Sequence, residues 1–219
     1  MLECAGERLQ SAYPNTLEQG EEMAKSTRQR PGSTGQLRII GGQWRGRKLQ
    51  FTATDGLRPT TDRVRETLFN WLMSELSSAR CLDLFAGSGA LGLEALSRGA
   101  LACDFVERSA IAQREISGHL TALAATDRGV CHNDIAADFL HRLNKSHEPY
   151  NIVFLDPPFG RDLIATVAAT LEARGLLAAG AFIYVECATQ EHLPELPASW
   201  NLHREKTAGG VTYRLFVRP

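Results

Sequence analysis

The chain lacks the patterns of a secreted, membrane or zinc-binding protein. Its five cysteines, at positions 4, 81, 103, 131 and 187, include no C-x-x-C pair. Cys81, Cys103, Cys131 and Cys187 fall in or beside predicted strands, which predicts buried free thiols in a reducing compartment. No clustered His/Cys ligand set appears, so no metal is expected. His119, His132, His141 and His147 are scattered and read as core or surface residues. No apolar run approaches the roughly 18 residues of a membrane span, and no signal-peptide pattern is present. The expectation is a cytoplasmic protein with no membrane partner. There are no internal repeats.

An excess of one charge is missing too. The formal net charge is −1 over 219 residues, which by itself suggests no nucleic-acid partner. The distribution says otherwise. Between Arg28 and Arg65 stand nine Arg or Lys against Asp55 and Asp62, a local +7 that leaves −8 for the rest. Eight of the nine are arginine, whose fork suits phosphate. A basic segment on an acidic body is an electrostatic footprint for a phosphate backbone. Trp44 and Phe51 interleave with these charges and can stack on exposed bases. The plainer alternative is a solvated hairpin face with its aromatics underneath.

With 43% hydrophobic residues, the chain can bury one good core plus a small appendage. Residues 1–36 are polar and read as a flexible leader. Residues 37–56 read as a basic β hairpin, its strands 37–40 and 48–51 flanking Gly41, Gly42 and Gly46. Residues 57–219 form the main domain. Within it, 61–76 is an amphipathic helix with Val64, Leu68, Trp71 and Leu72 at helical spacing, capped by Thr60 or Thr61. From Cys81 onward strands and helices alternate through Ala181–Cys187, which forces parallel pairing by right-handed crossovers. A terminal hairpin is expected over 201–206 and 211–218, around Gly209 and Gly210.

Two motifs carry the chemistry. Asp156-Pro157-Pro158-Phe159 follows Tyr150–Leu155, a short apolar run read as a buried parallel strand. The tetrapeptide thus lies past a strand's C-terminal edge, where open α/β sheets bind ligands. Two prolines stiffen the turn and remove two donors. The Asp156 carboxylate and the Pro157 carbonyl can hold both N–H bonds of an exocyclic amino group. That favours pyramidal nitrogen, with its lone pair aimed at an electrophile. Phe159 can stack on the base, worth about 1–3 kcal/mol. Taken alone, the motif also fits an Asx-type turn with Phe159 in the core.

The second motif is Gly87-Ser88-Gly89-Ala90-Leu91-Gly92. It follows the strand Cys81–Ala86 and opens the helix Leu91–Arg98, which Gly99 ends. The G-x-G-x-x-G pattern admits a dinucleotide. Asp83, four residues before Gly87, argues against one, because a carboxylate repels pyrophosphate and welcomes a cation. S-adenosyl-L-methionine carries a sulfonium and an ammonium and no phosphate. Glu107 closes the strand Leu101–Val106 and can accept from ribose hydroxyls. Asn133 and Asp134 end a third strand, around 129–132, where adenine can be read.

The pairing of Asp83–Gly92 (DLFAGSGALG) with Asp156–Phe159 (DPPF) resembles class I S-adenosyl-L-methionine-dependent methyltransferases acting on amino nitrogens. More narrowly, the chain resembles the RsmD family of bacterial small-subunit ribosomal RNA guanine-N2 methyltransferases. Leu37–Leu49, Gly56–Trp71, Leu202–Lys206 and Tyr213–Leu215 carry that likeness. The block Arg58–Glu66 is specific to the group and is absent from methyltransferases that use N-P-P-Y on protein glutamine. The resemblance implies a Rossmann-like α/β fold with a mostly parallel seven-stranded sheet, helices on both faces and a small N-terminal β hairpin.

It further implies methylation of N2 on one guanine of 16S RNA, at position 966, within an assembled or assembling 30S particle. Asp156, Pro157, Pro158 and Phe159 would then hold the base. Asp83, Phe85, Gly87, Gly89 and Glu107, with Asn133 and Asp134, would bind the cofactor. Arg63 and Glu66 would act from a lid over Arg58–Glu66. Arg38, Trp44, Arg45, Arg47, Lys48 and Arg58 would face RNA. The family often has Asn where this chain has Asp156; the carboxylate adds a proton acceptor. An adenine-N6 methyltransferase and a non-catalytic RNA-binding assembly factor remain as alternatives.

Overall fold

The computed structural model describes residues 34–52, 60–144, 146–158 and 163–219. Residues 1–33, Arg58 and Phe159, all included in the expectations above, lie outside them.

A hairpin of β1 (Thr34–Arg38) and β2 (Lys48–Thr52) comes first, antiparallel and paired from Thr34–Thr52 to Arg38–Lys48. Helix α1 (Asp62–Trp71) follows, and then β3 (Arg80–Asp83), α2 (Ala90–Ser97), β4 (Ala102–Glu107) and α3 (Ala110–Ala122). The chain continues through β5 (Gly129–Asn133), α4 (Ala136–Arg142), β6 (Tyr150–Leu155), α5 (Leu163–Ala173) and β7 (Leu177–Ala188). It closes with β8 (Asn201–Ala208) and β9 (Val211–Val217). The main sheet has seven strands in the order β5-β4-β3-β6-β7-β9-β8. Its first five are parallel, and β9 pairs antiparallel with both β7 and β8. This is the Rossmann-like arrangement expected.

Each element forms for a local reason. The strands β3 and β6 are short runs of apolar side chains buried on both faces, as a covered parallel sheet requires. Thr61 caps α1, its side chain accepting from Val64 N at 3.4 Å. The helix stops at Trp71, not at Leu76. Leu72 and Leu76 stay buried, at 0% and 2% exposure, so the apolar spacing continues although the chain has left the helix. Ser74, Ser77 and Ser78 follow there, polar side chains that compete for backbone bonds, and Ser78 has φ 64°.

The hairpin is not a loose appendage. Leu37, Ile39, Trp44, Leu49 and Phe51 are buried in the same core as α1, α2 and β4. What fastens it is charge. Glu94 of α2 is 0% exposed, and its carboxylate accepts from Ile40 N at 2.8 Å and Gly41 N at 2.7 Å. Arg98 Nε donates to the same carboxylate at 2.7 Å, and Arg65 stands 3.6 Å from it. Arg65, itself 1% exposed, also bonds the Arg38 carbonyl and Asp62. One turn on, Ser97 Oγ accepts from Trp44 N and donates to Gly41 O. Gly42, at φ 75°, lies so near that a Cβ would stand 1.9 Å from the Ser97 carbonyl oxygen.

Removing one member of a buried charge set leaves the others uncompensated, at a cost of about 3–5 kcal/mol. Glu94→Ala should therefore lower the unfolding free energy by about that amount. The Ile40 and Gly41 amides should lose hydrogen-exchange protection. A decrease below about 1 kcal/mol in denaturant titration would contradict the role assigned to Glu94.

Candidate functional site

The parallel strands end at one edge of the sheet, and the loops there collect the motif residues. Between β3 and α2 the chain passes through Gly87 (φ 54°) and Gly89 (φ 77°), conformations open to glycine at little cost. Ala86 N donates to Val106 O at 3.0 Å and Gly89 N to Ala86 O at 2.7 Å, which closes the loop. Gly92 lets α2 lie on the sheet: a Cβ there would stand 2.2 Å from Phe105 Cε1.

Two acids brace this loop. Glu107 ends β4, its Oε2 accepting from Gly87 N at 2.8 Å and its Oε1 from Ser109 N at 2.7 Å. Asp83 ends β3 and is 2% exposed. Its Oδ2 accepts from Gly92 N at 2.9 Å, in the first turn of α2. Asp83 therefore acts from beneath the loop and not from its open side. Burial pushes its pKa up to about 7, opposed by the Gly92 bond and assisted by repulsion from Glu107. A site that holds two carboxylates so close favours a cation.

The other expected residues are placed as follows. Phe85 is half-buried and packs on the α4–α5 side of the sheet. Asn133 donates from Nδ2 to the carbonyls of Glu107 and Arg108, both at 3.0 Å, so it ties the β4 and β5 ends together. Asp134 accepts from Ile135 N and is paired with Arg142. Asp156 follows β6, where its Oδ2 accepts from Thr60 Oγ1 at 2.9 Å. Pro157 is buried beside it and Pro158 half-buried. Arg63 and Glu66 are exposed on α1.

On the hairpin, Arg45, Arg47 and Lys48 are exposed. Arg38 is exposed but paired with Asp62 at 2.9 Å. Trp44 corrects an expectation. It is only 8% exposed, in the core, with the Arg128 guanidinium 5.4 Å from its ring centre, so it presents no face to a base. Phe51, at 3%, is buried too. Phe51 points inward by the alternation of β2, whereas Trp44 stands in the 3-10 turn Gly42–Trp44 between the two strands and folds into the core from there. Sequence reasoning missed Glu94 and Thr60. A lone glutamate in the apolar run Ala90–Leu96 was the available signal for the first; Thr60, read as a helix cap, carried no signal of its bond to Asp156. Among the described residues no His/Cys/Asp/Glu group is fit to hold a metal, and no helix is long and apolar enough to cross a membrane.

This geometry has counterparts among known proteins. The family described as Conserved hypothetical protein 95 matches residues 37–217. Ribosomal RNA small subunit methyltransferase D of Escherichia coli K12 is 52% identical over 185 residues, 84% of this chain and 91% of that protein. The protein of the same name from Haemophilus influenzae is 44% identical over 191 residues, covering 86% and 97%. The solved structure of yhhF from Escherichia coli superposes with a TM-score of 0.74 at 49% identity, covering 84% of this chain and 98% of that one. An RNA methyltransferase from Salinibacter ruber, solved with S-adenosyl-L-homocysteine, shares the fold at TM-score 0.52 and 14% identity, over 74% and 94% of the chains.

The Asp83 carboxyl binds its proton more tightly folded, at about 7, than unfolded, near 3.8. By linkage its contribution to stability is full below about pH 4 and is lost as pH rises through about 7. Asp83→Asn keeps an acceptor for Gly92 N and cannot ionise. In denaturation at several pH values, wild type should lose stability relative to this variant between those limits and run parallel to it above them. A constant difference would refute the raised value.

Proposed function

The chain belongs to the RsmD family of methyltransferases, and from that premise we propose that it transfers a methyl group to the exocyclic N2 of one guanine in small-subunit ribosomal RNA, at position 966 of 16S RNA. One observation carries the choice of an amino nitrogen. Asp156 and the Pro157 carbonyl stand past the end of β6, beside the strand whose end holds Asp83. An amino-group holder thus adjoins a pocket suited to a cation.

The residues present fit S-adenosyl-L-methionine, which supplies the electrophilic methyl. The glycine turn admits a ligand close to the backbone, the acid pair Asp83 and Glu107 favours its positive charges, and Glu107 with Asn133 and Asp134 lies where ribose and adenine would be read. Asp156 and Pro157 hold the two N2 hydrogens and keep the lone pair in line with the methyl. Asp156 takes the proton that N2 sheds as it receives the methyl, which the bound cofactor would supply while leaving as S-adenosyl-L-homocysteine. Phe159 stacks on the base, which must be unpaired or flipped to enter. Arg63 and Glu66 belong to a lid over this pocket.

Arg45, Arg47 and Lys48, with Arg58, hold the RNA backbone, and the substrate is the assembled or assembling 30S particle in the cytoplasm. Methyl-labelled cofactor, unmodified small subunits and nucleoside analysis test the reaction. Label should appear in N2-methylguanosine and vanish with Asp156→Ala while cofactor affinity holds; parallel loss of both would remove the base-holding role. Replacing Arg45 and Arg47 with Ala should weaken RNA binding across sequences. The slope of log affinity against log salt should flatten by about 1 for each phosphate no longer neutralised. An unchanged slope would exclude a phosphate-binding role for these two arginines.

A further inference from the structure

Near half-buried Asp156 lies a buried acid that the reaction outlined above leaves unused. β6 and β7 pair in parallel with Phe154 opposite Tyr184 and Leu155 opposite Val185. Carried one residue past the end of β6, that register brings Asp156 toward Glu186, on the face of Phe154 and Tyr184, and the Asp156 charge acts on the Tyr184 phenol. Glu186 is 4% exposed. Tyr184, two residues earlier and so on that face, donates its hydroxyl to Glu186 Oε2 at 2.6 Å. Burial, reinforced by the charges of Glu186 and Asp156, pushes that phenol's pKa well up, so it remains a donor and fixes the carboxylate. On the other side of β7, Tyr213 of β9 pairs with Glu186 in register. Its ring lies between Trp71 and Tyr184, and its buried hydroxyl has no hydrogen-bond partner among the described residues.

We propose that Glu186 determines base specificity by accepting the N1–H of a guanine whose N2 amino group is held at Asp156. The inference rests on the guanine-N2 reading and deepens it. Asp156 and Pro157 read an amino group and nothing else, so they accept adenine N6 as readily as guanine N2. The neighbouring ring atom separates the two bases. Guanine presents N1–H, a donor, next to its amino group; adenine presents N1 as a lone pair. A carboxylate held one strand over pairs with the first and repels the second. Discrimination of this kind, where a buried polar group would otherwise be left unpaired, reaches factors of about 10⁴.

The test uses reconstituted small subunits whose RNA carries one altered base at the target. Wild type should convert native RNA to N2-methylguanosine. It should methylate 1-deazaguanine, which keeps O6 and the amino group but loses N1–H, at least about 100-fold more slowly. It should discriminate similarly against 2-aminopurine, whose N1 is an acceptor. Glu186→Gln offers an amide donor to that N1 and should narrow the guanine to 2-aminopurine ratio at least tenfold, with cofactor affinity unchanged by calorimetry. A 1-deazaguanine rate within threefold of native overturns the assignment, and this arm needs no variant. A ratio that Glu186→Gln leaves unchanged also overturns it, placing the discrimination at O6. In both cases native N2-methylguanosine formation leaves the guanine reading standing. Label in N6-methyladenosine from wild type would instead remove that reading.

Discussion

The Glu94 carboxylate is the point on which the architecture turns. A buried anion costs several kcal/mol unless every lone pair is used and its charge is balanced. Here two hairpin amides, the Arg98 guanidinium and the nearby Arg65 meet that demand. The consequence is geometric. Helix α2 is fixed at its first turn by Asp83 through Gly92, on its flank by Gly92 against Phe105, and at its last turn by Ser97 against the hairpin. A single eight-residue helix therefore sets the glycine loop and the basic hairpin in one rigid relation.

That relation separates two charge regimes. The C-terminal edge of the sheet gathers Asp83, Glu107, Asp134 and Asp156, while the exposed hairpin cations lie across α2. A ligand with positive charge is drawn to the first and a phosphate backbone to the second. The whole chain is nevertheless nearly neutral, with a formal net charge of −1. Arg65 and Arg38 belong to neither. One is buried against Glu94 and the other is tied to Asp62, so the local excess counted along the sequence overstates the charge offered to RNA.

Much of this was legible because it depends on short-range rules. The apolar run Tyr150–Leu155, the glycine turn and the alternation of strands and helices each have one economical reading, although the strand read over Cys81–Ala86 ends at Asp83. The α1 terminus was not legible, since apolar spacing persists to Leu76 while the helix ends at Trp71. Trp44 misled for another reason: within a basic run, composition cannot tell that a residue of the turn between two strands folds back into the core. Asp83 was legible as an acid beside the loop, but its bond to Gly92 depends on the crossing of α2 over β3. Thr60 meets Asp156 across 96 positions of sequence, a pairing that no window of the sequence contains.

The reversed strand β9 decides what stands next to Glu186 and Tyr184. Were the sheet parallel throughout, the neighbour of β7 would begin, not end, beside Ala181, and its side chains would arrive through another crossover helix. β9 instead returns antiparallel between β7 and β8, so Tyr213 and Leu215 are delivered opposite Glu186 and Tyr184 by a two-residue turn at Gly209 and Gly210. Trp71 closes that wall from α1. The parallel half of the sheet thus gathers acids at its strand ends. β7 carries Glu186 and Tyr184 on the Asp156 side, and the antiparallel β9 adds Tyr213 beside them.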